Sequence, residues 1–164
     1  GNADSPTEVA QVTSSGLSVT GDLSVTGSVP ANTGPAFSAY NTGQTVTSGV
    51  STKLLFSAEE FDTNSNFASS RFTPTVAGYY QVNSQLQPND FYTGLWVGIY
   101  KNSSLAKYGN YYFGGATGGS VVSALIYCNG TTDYLEIYGN FAGGQQVAGG
   151  GAFGYFQAFL ARAA

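Results

Sequence analysis

"AFGYFQAFLA", residues 152–161, puts apolar side chains on both sides of one short segment. Side chains alternate along a strand, so Phe153, Tyr155 and Phe159 share one face while Phe156 and Leu160 take the other. A strand that is apolar on both faces has to be covered twice. The core of a sandwich supplies one cover. The other must come from more chain, which is scarce here, or from another subunit.

The segments around it read the same way. "TKLLF" (52–56), "GYYQVNSQL" (78–86), "GLWVGIY" (94–100), "SVVSALIY" (120–127) and "DYLEIYG" (133–139) are rich in aromatic and β-branched residues, with Gly, Asn, Pro and Asp between them. In "LWVGIY", Leu95, Val97 and Ile99 alternate with Trp96, Gly98 and Tyr100, which predicts one aliphatic and one aromatic face. No stretch keeps a helical period over ten residues. Turns every 8 to 12 residues then point to an all-β sandwich.

Composition narrows the function classes. Charged residues are 9% of the 164, against roughly 25% in an average globular protein, while aromatics reach 15% and glycines number 23. Such a surface is solvated by hydroxyls and amides rather than ions, which suits an extracellular or virion-surface protein. The five basic residues, Lys53, Arg71, Lys101, Lys107 and Arg162, are scattered among nine acids. Nucleic-acid binding needs clustered positive charge and is rejected. No apolar run approaches the roughly 18 to 20 residues of a membrane span, so membrane insertion is not expected. The chain has no Met, so Gly1 is read as a processed end, a tag scar or a cut.

Before the body lies "GLSVTGDLSVTG" (16–27), in which Leu-Ser-Val-Thr-Gly occurs twice. Leu17, Val19, Leu23 and Val25 alternate with Ser and Thr, and Gly breaks each copy at the same place. One copy cannot bury its Leu and Val, and two stacked copies make a poor core. Three chains winding these repeats around one axis would bury all four positions; a hairpin packed on the domain or a disordered linker are the alternatives. The expected organisation is a flexible lead-in over 1–14, a β-repeat stalk or trimerisation segment over 15–34, and a head over 35–164.

The residues for catalysis are thin. There is no His, which removes the usual general base and most zinc ligand sets. Cys128 ends an apolar strand and reads as a small buried thiol. Glu59, Glu60, Asp62, Asp90, Asp133 and Glu136 could form carboxylate pairs only by meeting across subunits. "DTNSN" (62–66) starts like a calcium loop, but Phe67 replaces its glycine and Thr73 its closing glutamate, so it reads as a solvated turn. The glycine runs over 114–119 and 142–151 lack the strand–loop–helix setting of a phosphate cradle. No catalytic residue, metal or cofactor is expected. What remains is recognition: "YGNYYFGG" (108–115), in a predicted loop, has Tyr108, Tyr111, Tyr112 and Phe113, and "PNDFYTG" (88–94) adds Phe91 and Tyr92. Tyr beside Asn and Gly makes an adaptable binding surface, suited to stacking on sugars.

"FSAEEFDTNSNFASSRFTPTVAGYYQV" (56–82) resembles the signature of the complement-q globular head, within the tumour-necrosis-factor-like jelly-roll superfamily. Phe56, Asp62 and Phe67 match its opening spacing, and Phe72, Gly78 and Tyr80 match its close. "PAFSAYNT" (35–42), "GGSVVSALIYCNGTTDYLEIYG" (118–139) and "GGAFGYFQAFL" (150–160) resemble its first strand, its sixth and seventh strands and its closing strand. The step from Phe67 to Phe72 is shorter than the family's, and Val82 and Ser84 stand where aromatics are preferred. The resemblance implies a ten-stranded jelly roll that forms a homotrimer. Phe153, Tyr155, Phe156, Phe159, Leu160 and Tyr80 would lie in its interface or core. With the stalk, it implies a non-enzymatic virion structural protein, a fibre tip or capsid decoration protein on the virion surface. Its partners would be its own copies, the fibre shaft or capsid, and a host-cell glycan or protein. A bacterial or spore surface adhesin is the alternative, and a fibre-borne glycan hydrolase a distant one.

Overall fold

The structure, a computed structural model, describes residues 10–13, 16–19, 34–89, 91–115, 118–143 and 146–164. The chain divides into two units, Gly1–Ala31 and Asn32–Ala164. In the first, β1 (Ala10–Thr13) pairs antiparallel with β2 (Gly16–Val19), Ala10 opposite Val19 and Thr13 opposite Gly16. The flexible lead-in expected over 1–14 is corrected at its end. "AQVT" alternates apolar and polar residues as the hexads do, and it forms a strand against the first copy. Leu17 and Val19 fall in β2; Leu23, Val25 and the rest of the second copy lie outside the described residues.

The second unit runs β3 (Ala36–Tyr40), β4 (Gln44–Thr45), β5 (Thr52–Lys53), β6 (Ala58–Asp62), β7 (Phe67–Ala68), β8 (Arg71–Phe72) and β9 (Ala77–Leu86). It continues with β10 (Tyr92–Lys101), β11 (Ser104–Tyr108), β12 (Tyr112–Gly115), β13 (Ser120–Asn129), β14 (Leu135–Ala142), β15 (Gln146–Val147) and β16 (Gly154–Ala163). Two sheets form. One has the order β13-β9-β16-β3-β6. The other follows β11-β10-β14-β8-β7, with β12 beside β10 and β5 beside β14, and β15 pairs β4 apart from both. The two five-strand paths are the expected ten-stranded jelly roll. Its long strands alternate between sheets: β9, β13 and β16 lie in one, β10 and β14 in the other.

The alternating strands fill the space between the sheets. Leu95, Val97 and Ile99 of β10 are fully buried, as their spacing predicts. Phe156, near the start of β16, lies edge-on to Phe37 at 4.8 Å, and Phe37 stacks on Phe67 at 4.5 Å and on Phe72 at 4.6 Å. Tyr80 and Leu160 are buried beside them. Val82 and Ser84, the family departures, also point inward. Ser84 satisfies its hydroxyl by donating to the Tyr155 carbonyl at 2.7 Å, so a small polar residue is accommodated there without an unpaired group.

Several expected boundaries move. In 52–56 only Thr52 and Lys53 are strand. The amide of Leu54 donates to Ile137 and that of Phe56 to the Ser70 hydroxyl, so the chain stays extended but leaves the ladder. The strand expected at 133–139 begins at Leu135, because Asp133 instead accepts the Asn129 amide and closes the preceding turn. The loop expected over 108–115 is mostly strand, β11 ending at Tyr108 and β12 starting at Tyr112. β11 is exposed along its whole length, so it lacks the apolar alternation that marks a half-buried strand. Phe153 sits in the turn before β16 rather than on its face, its amide bonded to the Gly150 carbonyl at 2.9 Å.

Phe156→Ala should therefore destabilise the second unit by about 3–5 kcal/mol. Urea unfolding followed by Trp96 fluorescence checks this; a loss below about 1 kcal/mol would mean that Phe156 is not the packing centre.

Candidate functional site

Two surfaces of the sandwich offer themselves for recognition. The first is the outer face of the five-stranded sheet. Register places Tyr127, Tyr79 and Arg162 in one cross-strand row and Leu125, Gln81 and Phe159 in the next. Leu125 is 52% exposed, Phe159 46% and Tyr79 44%; Phe61 of β6 and Val121 of β13 are also bare. Tyr155 is half-buried on the same face. Between these lies a polar band whose atoms bond one another. Gln81 donates from Nε2 to Ser123 at 2.9 Å and to Asn83 at 3.1 Å, and Ser123 donates to Asn83 at 2.8 Å. Gln157 donates to Ser38 at 3.0 Å, and Ser38 donates to the Glu60 carboxylate. Of the residues expected at an interface, Phe159 and Tyr155 thus face outward, while Phe156, Leu160 and Tyr80 belong to the core.

The second surface is the outer face of the seven-stranded sheet. Trp96 and Tyr108 pack at 4.8 Å between ring centres, Tyr111 and Phe113 at 4.5 Å, and Tyr100 stacks on Tyr138 at 4.2 Å. Glycines make room for this layer. A Cβ on Gly94 would strike the Tyr111 hydroxyl, and one on Gly118 the Tyr112 ring and the Tyr92 hydroxyl. The structure keeps Phe91, Tyr108, Tyr111, Tyr112 and Phe113 exposed, with Phe113 the barest at 78%. Tyr92 is a correction. It begins β10 with the alternation parity of Trp96 and Tyr100, yet it is fully buried and joins the core cluster, because the Tyr112 ring packs against it at 5.9 Å and Gly118 closes on its hydroxyl. Sequence reasoning about recognition passed over Trp96, Tyr100, Tyr134 and Tyr138. Their signal was the aromatic face of "LWVGIY", but only register brings β14 rings beside it.

At one end of this face the acids are tied down. The Glu136 carboxylate, almost fully buried, accepts from Lys53 Nζ at 2.7 Å and Arg71 Nε at 2.9 Å. Burial alone would push its pKa up; the two hydrogen bonds and the two charges outweigh that and hold it below the ordinary carboxylate value. Asp133 is likewise pushed up by burial but carried below its usual value by Lys101, Asn102 and the Asn129 amide. The guanidinium of Arg71 also lies 3.9 Å over the Tyr134 ring. Carboxylates held this firmly ionised are poor proton donors. Asp62 accepts the amides of Asn64 and Phe67, the arrangement of a turn. Cys128 is fully buried, and burial chiefly pushes its thiol up to about 11. Asp90 lies outside the described residues.

Solved structures share this arrangement. The globular domain of zebrafish complement 1qA superposes with a TM-score of 0.59, covering 80% of this chain and 99% of its own at 17% identity. Murine APRIL superposes with a TM-score of 0.63, covering 77% and 98% at 8% identity. In fold, the sandwich is a jelly roll like those of complement 1qA and APRIL. A third jelly roll, the PRD1 vertex protein P5, gives a TM-score of 0.59 over 80% of this chain and all of its own, at 16% identity. No protein-family model and no curated protein matches the sequence. Among the described residues of the jelly roll, no helix is long and apolar enough to cross a membrane.

Two outcomes follow from the site chemistry. Unfolded carboxylates titrate near about 4. Both Glu136 and Asp133 have lowered folded values, so their stabilisation is complete above that pH and is lost as pH falls through the folded values. Glu136→Gln should remove part of this acid loss and destabilise by about 1–2 kcal/mol at neutral pH, a range reduced because its cationic partners are partly solvated. Urea midpoints from pH 2.5 to 7 test it. The Cys128 thiol should react with a thiol reagent only after unfolding; fast labelling of the native protein would contradict its burial.

Proposed function

We propose that this chain is a non-enzymatic, homotrimeric structural protein of a virion surface, a fibre tip or capsid decoration protein acting in attachment or particle stabilisation. The observation that supports it most is the bare sheet face bearing Tyr79, Leu125, Phe159 and Phe61. Bare apolar side chains gathered on one sheet face around a self-bonded polar band mark an interaction surface. Copies of the same chain, arranged about a threefold axis, supply the second cover that β16 requires. The polar band favours such burial: Gln81, Asn83, Ser123, Gln157, Ser38 and Glu60 already bond to one another. Covering them therefore leaves few unpaired groups. The virion setting draws support from the hexad repeat, from the low charge and from the likeness to a vertex protein. The non-enzymatic reading rests on Glu136 and Asp133 being committed to ion pairs and on the buried thiol of Cys128.

Light scattering tests the assembly directly. The intact chain should have three times its 17.0 kDa monomer mass, and the double variant L125E/F159E should run as a monomer with unchanged far-UV circular dichroism. A monomeric wild-type chain would sink the proposal. With a trimer in hand, binding to cells against binding to expanded capsids separates a fibre tip from a decoration protein.

A further inference from the structure

An open pocket of about 520 Å³ lies beside the Glu136 ion pairs, lined by Lys53, Arg71, Ser65, Asn66, Thr73 and Thr75. Its chemistry is out of keeping with the chain. The sequence has nine acids and five bases, yet two of the bases line this pocket and no carboxylate among the described residues does. Glu136 neutralises only one of the two cations. Arg71 gives it Nε–H alone, and no other hydrogen bond of its guanidinium is found among the described residues, so the Nη donors stay available. Lys53 is positioned by Glu136 and by the Ser69 carbonyl at 3.0 Å. Two pre-oriented cations with the hydroxyls of Ser65 and Thr73 beside them form a site for a carboxylate or a similar oxyanion.

The aromatic layer begins at the rim of this pocket. Lys53 stands directly opposite Tyr138 across β5 and β14. Tyr138 stands opposite Gly98, and Gly98 opposite Tyr108, across β14, β10 and β11. Glu136, in contact with Arg71, stands opposite Tyr100. Since strands are about 4.8 Å apart, the surface from the cations to Tyr108 spans on the order of 15 Å. It is a sheet face and not a free edge, so a peptide finds no strand to join there by its main chain. Flat rings with hydroxyl rims suit the C–H faces and hydroxyls of pyranose rings.

We propose that the jelly roll binds an acidic oligosaccharide on this face, with the sugar carboxylate between Lys53 and Arg71 and the neighbouring rings along Tyr138, Tyr100 and Tyr108. This rests on the reading of the chain as an attachment protein and names the class of receptor it would meet. The net charge of −4 does not oppose it, because at physiological salt charges more than about 8 Å away are largely screened.

The chain contains a reporter for this site, since Trp96, its single tryptophan, packs on Tyr108. Titration of the full chain with 3′-sialyllactose, a trigalacturonate, lactose and sodium sulfate, read by Trp96 fluorescence and saturation-transfer NMR, tests the proposal. At least one acidic sugar should bind ten-fold or more tighter than lactose, and tighter than sulfate. R71Q should weaken that binding at least ten-fold. Because Arg71 also supports Glu136, T73E provides a second variant: it adds a negative charge to the pocket wall without touching the ion pairs, and it should abolish binding. Y138A should weaken the sugar but not sulfate. Equal binding of lactose, binding that survives T73E, or no binding of either acidic sugar would overturn the proposal; sulfate binding as tightly as the sugars would reduce the site to a plain anion site and overturn it too. Light scattering on the same samples separates the two readings. A trimer that binds no sugar sinks this inference alone, and a monomer that binds the acidic sugar sinks the assembly alone.

Discussion

A two-layer sandwich gives its central strands one buried face and only one, and β16 is apolar on both. Its inner side, Phe156, Ala158 and Leu160, closes the core with Phe37, Phe67 and Phe72. Its outer side presents Tyr155 and Phe159 on a sheet where Leu125, Tyr79 and Phe61 are also bare. The inner side holds the fold together, because edge-to-face and stacked rings add to the area they bury. The outer side is left bare in a single copy of this chain.

The two outer faces of the sandwich are built by the same alternation but differ in chemistry. On the five-stranded sheet, bare aliphatic and aromatic groups surround a polar band that is already hydrogen-bonded to itself. Such a face can be buried with little desolvation cost. On the seven-stranded sheet, Trp96 packs on Tyr108 and Tyr100 on Tyr138, with Lys53, Arg71 and Glu136 at one end. The proposed roles divide along this difference, one sheet for assembly and the other for recognition.

Glu136 illustrates why charge is so scarce here. A carboxylate that is almost fully buried is tolerable only with good geometry and partners, and this one uses two of the five basic residues of the chain. Asp133 uses a third, Lys101, at 2.7 Å. These charges are thus committed to anchoring β14 and the turn before it, and Lys53 and Arg71 also line the cationic pocket.

The class of fold was legible in the chain itself. Aromatic and β-branched content marked the main strands at 78–86, 94–100 and 120–127, and alternation in 95–100 identified Leu95, Val97 and Ile99 as inward, because burial of one face is a local demand written residue by residue. The unbalanced strand at 152–161 signalled an uncovered face for the same reason. Three things were decided only by tertiary contacts. Exposed β11 has no alternation to read, and it is a strand because β10 offers it an edge. Tyr92 was taken for a surface ring, since its burial comes from Tyr112 and Gly118, brought onto it from β12 and the segment that follows. The grouping of Lys53, Arg71 and Glu136 joins residues 18 to 83 positions apart. Sequence determines what each segment must bury, whereas only the register of strands distant in the chain decides which exposed groups become neighbours.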